Sequence, residues 1–339
     1  MRHSLFGLLL LGSLSCGLQQ AQVSSSAPVD DHAAHMSAAD LRTPAITRPA
    51  TITSQGTPGI PASGNNAAAR LAASPRHGEW VKFAVGDGTP DTVMAWIVFP
   101  SARTKAPVVV VVHEIFGLST WVRGVADQVA ADGFIAIAPD FLSRVRGGPT
   151  TVELASDSAT RIIGGVNSAE RNRIISAAAN YAMMQPAAEQ RYAVIGYCWG
   201  GGTTFMHAVN GGVKGFAGGV SFYGNIYTTG GSRATASAAA VPASINVDSV
   251  AKISVPTMLL NGSKDGRIGA TMPALDSIMK ALKKDYSGTN YEGAAHGFLR
   301  LQDDPRATRD EAEEVANLAA AKDAWPKTIA FLKKQLRVR

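Results

Sequence analysis

The sequence predicts an α/β fold: a mainly parallel central sheet with helices on both faces. Three observations carry that prediction. From Gly78 onward, short apolar or alternating runs give way again and again to stretches with helical spacing. One run, PVVVVVHEI from Pro107, is nearly continuous in β-branched residues, the mark of a strand covered on both faces. A third stretch, GYCWGGG from Gly196, follows the apolar run YAVI and reads as a sharp strand-to-helix turn.

The elements follow in order. EWVKFAV and TVMAWIVFP, separated by GDGTPD, predict an antiparallel hairpin at one edge of the sheet. After PVVVVVHEI, a helix puts Val122, Val125 and Val129 on one face and stops at Gly133. FIAIAPD is the next buried strand. Residues 168 to 184 form a helix from Ser168, halted by Pro186. YAVIG leads into the glycine turn and a short helix around Phe205 to Val209. Strands GFAGGVSFYG and VPTMLLNG, a helix through Met279 and Leu282, and strand GTNYEGA come next. The last helix carries Trp325, Ile329, Leu332 and Leu336 at helical spacing.

The domain so outlined covers residues 76 to 339. Residues 1 to 17, MRHSLFGLLLLGSLSCG, read as an export signal: a short basic start, an apolar run too short to span a bilayer, then small residues. Plain secretory cleavage and lipid modification of Cys16 both stand, and the protein is expected to be periplasmic, secreted or lipid-anchored. Membrane contact would come only through that anchor. Residues 18 to 75 are rich in Ala, Ser, Thr, Pro and Gly without periodicity, and read as a disordered tether. His32 and His35 beside Asp30 and Asp31 lack a second ligand cluster and read as a solvated patch, so no metal and no cofactor is expected. The chain is 46% hydrophobic and 17% charged, an ordinary globular balance. Its net charge of +6 owes four basic residues to the C-terminal end (Lys333, Lys334, Arg337, Arg339), and no nucleic-acid motif accompanies it.

In sheets of this kind ligands bind beyond the carboxyl ends of the strands. Four reactive side chains lie just after strands: Glu114, Cys198, Asp265 and His296. Cys198 stands where a nucleophile elbow presents its reactive group, at a helix N-terminus that favours a thiolate. Cys16 and Cys198 are the two cysteines, so an exported Cys198 has no disulfide partner. The bland alternative is a small buried apolar residue. His296, in the loop EGAAHGF, fits a base better than His113 before Glu114 or His207 inside a helix. Asp265, in GSKDG after a strand, fits the orienting acid better than Asp248, Asp276 or Asp285. The order nucleophile, acid, base is that of α/β-hydrolases.

Seven stretches then appear in order: HEIFG, APDFL, GYCWGG, SFYG, NGSKD, AAHGF and AWPKTIAFLKK. On them the chain resembles the dienelactone hydrolase family of α/β-hydrolases over residues 79 to 336. The resemblance implies a Cys198–Asp265–His296 triad. It also implies that Glu114 holds the thiol at rest and releases it when substrate binds. The expected chemistry is attack of the thiolate on an ester or lactone carbonyl of a small molecule, with the backbone N–H groups of Ile115 and Trp199 meeting the oxyanion. Trp121, Tyr197, Tyr223 and Phe298 are candidates to line the pocket. Arg144, Arg146 and Arg161 are candidates to hold a substrate carboxylate. Two stretches depart from the family: residues 228 to 248, read as an extended loop near the entrance, and DEAEEVANLAA before the last helix. The competing readings are a non-catalytic exported binding protein on a hydrolase fold, and a thiol redox protein, which lacks a resolving cysteine.

Overall fold

The computed structural model describes residues 56–86, 91–101, 104–150, 156–226, 228–229, 244–304, 308 and 310–338. The export signal and most of the tether lie outside these residues. Within them, the eight-stranded sheet has the order β1-β2-β4-β3-β5-β6-β9-β10. β1 (Gly78–Ala84) and β2 (Thr92–Val98) form the antiparallel hairpin at the edge, with Gly78 opposite Val98. β2 also runs antiparallel to β4 (Ile135–Pro139). From there the sheet is parallel through β3 (Ala106–Val112), β5 (Ala188–Tyr197), β6 (Phe216–Phe222), β9 (Thr257–Gly262) and β10 (Tyr286–Tyr291).

β3 is buried along its whole length, as a central strand with helices on both faces must be. On one side α2 (Thr120–Ala131) buries Val122, Val125 and Val129, and the Ser119 hydroxyl caps its first turn by accepting from Val122 N. α5 (Ser168–Met183) is capped one residue earlier than its first helical position, by Asn167 accepting from Glu170 N at 3.0 Å. α6 (Trp199–Val209) begins directly after Cys198, six residues before the stretch that hydrophobic spacing marks. Its glycines hid that start, since glycine carries no side-chain periodicity.

Other elements do not show in the spacing. They are α1 (Ala67–Ala72), α3 (Ser143–Arg146), α4 (Ser156–Gly164) and α7 (Val247–Ala251). α8 (Gly266–Gly269) and α9 (Met272–Ala281) follow β9, and α10 (Phe298–Leu301) follows β10. α11 (Glu311–Leu336) takes in DEAEEVANLAA, which is therefore the start of the last helix and not a separate insertion. The expected loop at 228 to 248 is pinched at its base, where β7 (Thr228–Thr229) pairs antiparallel with β8 (Ser244–Ile245).

The tether needs one correction. Its last part is packed on the domain: Ile60, Ala62 and Ala67 are buried in the main core cluster. Arg70 donates from Nη1 to Ile60 O at 2.9 Å and from Nη2 to Gln128 Oε1 at 3.0 Å. Three small or single apolar anchors leave little trace in composition, and backbone hydrogen bonds leave none.

Candidate active site

The turn after β5 explains its own sequence. A Cβ on Gly196 would lie 1.9 Å from the carbonyl oxygen of Gly200, and one on Gly200 would lie 2.3 Å from the carbonyl oxygen of Val112. Helix and strands meet here with no room for side chains. Between those glycines Cys198 sits at φ 54° and ψ −116°, a region that L-residues avoid. Such a conformation costs on the order of 1–3 kcal/mol and persists only when its surroundings enforce it. The enforcement is visible: Cys198 N donates to Phe222 O at 3.0 Å, and Cys198 O accepts from Gly202 N at 3.1 Å.

β9 delivers the acid. Asp265 caps α8 by accepting from Ile268 N, and its Oδ2 accepts from His296 Nδ1 at 2.6 Å. Arg267 approaches the same oxygen at 4.0 Å. Burial pushes the Asp265 carboxyl up, but the hydrogen bond and charge of His296, then Arg267 and the Ile268 N–H, more than offset it and hold its pKa below the usual value. β10 delivers the base, on a loop tied down by Ala295 N donating to Asn317 Oδ1 and Lys264 N donating to Ala294 O. Burial alone would lower the imidazole of His296. The charge of Cys198 and hydrogen bonding with Asp265 and Cys198 outweigh it and raise the pKa to about 10. Among the described residues His296 Nε2 is buried without a partner of ordinary hydrogen-bond geometry, so its link to the sulfur is a loose one.

Glu114 follows β3 and is buried. Its neighbour His113 fixes the turn: Phe141 N donates to His113 Nε2 at 3.1 Å, so Nδ1 carries the proton and donates to Glu114 O at 2.6 Å. Burial keeps that ring neutral by lowering its pKa. The side chain of Glu114 has a partner that the sequence did not point to. Its Oε2 accepts from Arg300 Nε at 2.8 Å. A guanidinium makes a charge-assisted bond that a weak S–H donor cannot match. Burial opposes the charge on Arg300, but Glu114 more than compensates and raises its pKa.

Arg300 is the residue that sequence reading missed. Its signal was its place on α10, four residues after His296. The arginines singled out in its stead are engaged elsewhere or far from these loops in the chain. Arg144 pairs with Asp91 at 2.6 Å and with Glu170; Arg146 donates to Pro149 O at 2.6 Å; Arg161 lies on α4. His207, set aside as packing, is buried between Tyr192 and Asn172, and burial lowers its pKa to about 3.

The aromatic candidates form one connected cluster. Trp121 meets Tyr197 edge-on at 5.1 Å, Tyr197 lies 6.3 Å from Tyr223, and Tyr223 lies 5.0 Å from the His296 ring and 5.5 Å from Phe298. All four are buried. Burial first, and the negative charge of Glu114 second, push the phenols of Tyr197 and Tyr223 well above their ordinary pKa. Both hydroxyls are buried without a partner among the described residues. The Trp199 side chain points to a different neighbourhood, stacked on His113 at 5.9 Å with Arg171 over its ring at 4.4 Å. Among the described residues, no three His, Cys, Asp or Glu side chains group as a metal site, and no helix is long and apolar enough to cross a membrane.

Comparison with known proteins decides the family. The sequence profile of the dienelactone hydrolase family matches residues 93–336. The chain belongs to that family. It is a carboxylic ester hydrolase by membership. A protein assigned as a carboxymethylenebutenolidase in Methylorubrum extorquens is 28% identical over 221 residues, 64% of this chain and 71% of that protein. One in Synechocystis is 29% identical over 255 residues, 72% of this chain and 93% of the other. A crystal structure described as a dienelactone hydrolase from Klebsiella pneumoniae superposes with a TM-score of 0.59 at 23% identity, covering 76% of this chain and 99% of that one. This dienelactone hydrolase-family fold is the α/β-hydrolase architecture that the sequence predicts.

Proposed function

We propose that this enzyme hydrolyses esters or lactones of small molecules through a Cys198–His296–Asp265 triad and a cysteinyl acyl-enzyme. The observation that carries the reading is the 2.6 Å bond from His296 Nδ1 to Asp265, on a ring whose charge is raised by Cys198 at the strained elbow. Asp265 fixes the tautomer and stabilises the imidazolium. The Cys198 thiolate attacks the carbonyl carbon, and the oxyanion is met by the N–H groups of Ile115 and Trp199. His296 Nε2 then gives its proton to the leaving alkoxide, and a thioester to Cys198 remains. Water, deprotonated by His296, attacks that thioester and releases the acid and the thiolate.

The pocket suits a substrate that carries a carboxylate beside the reacting carbonyl. Glu114 takes Nε of Arg300, about a quarter of the Arg300 side chain is exposed at 26%, and among the described residues its two Nη groups have no protein partner. The hydroxyls of Tyr197 and Tyr223 add donors to the same cluster. Export through residues 1 to 17, with cleavage or lipidation at Cys16, belongs to the same reading; fractionation and the mass of the mature N-terminus test it.

The test of the mechanism is a chromogenic short-chain ester with and without an alkylating agent. Cys198→Ala should fold as the parent does and lose turnover by about a thousandfold or more, as removal of a nucleophile does. Full activity in that variant would overturn the triad, whereas absence of turnover in the parent would favour a binding protein on a hydrolase fold.

A further inference from the structure

The family match begins at residue 93, and residues that precede it build one side of a cavity away from the catalytic groups. The cavity has a volume of about 410 Å³, within the range of small-ligand pockets. α1 supplies Leu71 and Ala72, β2 supplies Trp96 and Val98, and α2 supplies Arg123 and Asp127. Ala72 is exposed, so apolar helix surface stands uncovered at the opening. A Cβ on Gly78 would lie 2.6 Å from the Trp96 ring, so the bare glycine on β1 is what gives that ring its place.

The charges around this cavity do not balance. Asp127 is already matched: Arg76 donates to it from Nε at 3.0 Å, and Ser74 Oγ bonds the same carboxylate. Arg123 has no carboxylate partner among the described residues. Its Nη2 donates to Thr120 Oγ1 at 3.1 Å, and the rings of Trp80 and Trp96 lie 5.6 and 5.5 Å from its guanidinium. Those two tryptophans stand directly opposite each other on β1 and β2 and meet edge-on at 5.6 Å. Ring faces attract a cation but do not neutralise it. Burial lowers the pKa of Arg123, and no acidic side chain offsets that pull. Two arginines and one aspartate line the cavity, which leaves one uncompensated positive charge beside apolar side chains.

We propose that this cavity is a second ligand site, separate from the catalytic pocket, and that it takes a singly charged amphiphile: a carboxylate on an apolar chain. The carboxylate pairs with Arg123, whose Nη1 has no protein partner among the described residues. The chain lies along Leu71, Ala72 and Val98. One net positive charge suits a carboxylate better than a phosphate monoester, which carries about two negative charges at neutral pH. The apolar lining gives a bare inorganic anion nothing further to hold. None of Glu114, Cys198, Asp265 or His296 lines the cavity, so the site stands independently of the ester-hydrolase reading.

The experiment titrates octanoate into the full chain by calorimetry, with octan-1-ol as the neutral probe and inorganic phosphate as the bare anion. Octanoate should bind saturably and about tenfold or more tighter than either control, since ion pairing and chain burial both contribute. Arg123→Met keeps an unbranched stem between the indoles and removes the charge. It should weaken octanoate by about tenfold or more and leave octan-1-ol unchanged. Leu71→Trp fills the cavity from α1, leaves Arg123 in place, and should weaken both. Turnover of p-nitrophenyl acetate should match the parent in both variants, because neither residue lies in the catalytic pocket. Unchanged octanoate affinity in either variant overturns the proposal and assigns the binding elsewhere, the catalytic pocket included. No saturable octanoate binding by the parent, or affinity no greater than for octan-1-ol or phosphate, overturns it as well. If Arg123→Met melts well below the parent, Leu71→Trp decides alone.

Discussion

His296 sets the pH behaviour. Its pKa is raised from 6.5 to about 10 by Cys198 and Asp265 against the pull of burial. A raised cation pKa stabilises the fold fully below about 6.5, and that contribution is lost as pH rises through about 10. Asp265 acts in the opposite sense: its pKa lies below 3.8, so its contribution is present above that value and lost as pH falls through the lower one. In the proposed mechanism the imidazolium also supplies the proton for the leaving group. The kcat/KM profile should therefore hold through neutral pH and fall on a basic limb near pH 10, and Asp265→Asn should move that limb downward. A limb at the ordinary imidazole value in the parent would show that thiolate and imidazolium are not paired. Glu114 gives a second test at this scale. Its Oε2 accepts from Arg300 Nε. Iodoacetamide should therefore label Cys198 at nearly the parent rate in Glu114→Gln, but far more slowly in His296→Ala, where the partner of the thiolate is gone. The reverse order would restore the carboxylate as the resting partner of the sulfur.

Two elements can be broken separately. The elbow depends on the absence of side chains: Gly200→Ala would place a methyl 2.3 Å from the Val112 carbonyl oxygen and 2.6 Å from that of His113. Both contacts are backbone at the end of a central strand and cannot yield. The variant should lose esterase activity and several degrees of melting temperature together, since overpacking costs typically about 1–3 kcal/mol. The packed part of the extension is the other case. Starting the chain at Arg76 removes the buried Ile60, Ala62 and Ala67 and uncovers Trp121. Loss of one large and two small apolar groups with several hydrogen bonds should destabilise by about 3 kcal/mol. In a domain of this size that lowers the melting temperature by about 5–10 °C. A chain starting at residue 56 should melt with the full-length protein. Equal melting of all three would show that the extension adds nothing to the domain.

At the scale of the whole molecule, the parallel sheet does the collecting. Glu114, Cys198 and Asp265 leave the carboxyl ends of β3, β5 and β9, and His296 follows β10 by a short loop. Because the strands are parallel, residues up to 182 positions apart meet along one edge. The sequence by itself determined the alternation of strands and helices, the edge hairpin, and the elbow with its cysteine, because hydrophobic period and glycine placement are local properties. It also singled out Asp265 and His296 by their loops and by the order nucleophile, acid, base, and the structure joins these two by a 2.6 Å hydrogen bond. Only the tertiary structure decided what Glu114 binds. Arg300 lies 186 positions away from Glu114, and no local pattern joins a buried carboxylate to a cation at that distance. The packing of residues 56–75 was decided in the same way. Their anchors are backbone N–H and C=O groups meeting Arg300, Trp121 and Gln302, and every residue carries such groups, so composition cannot reveal where they are used.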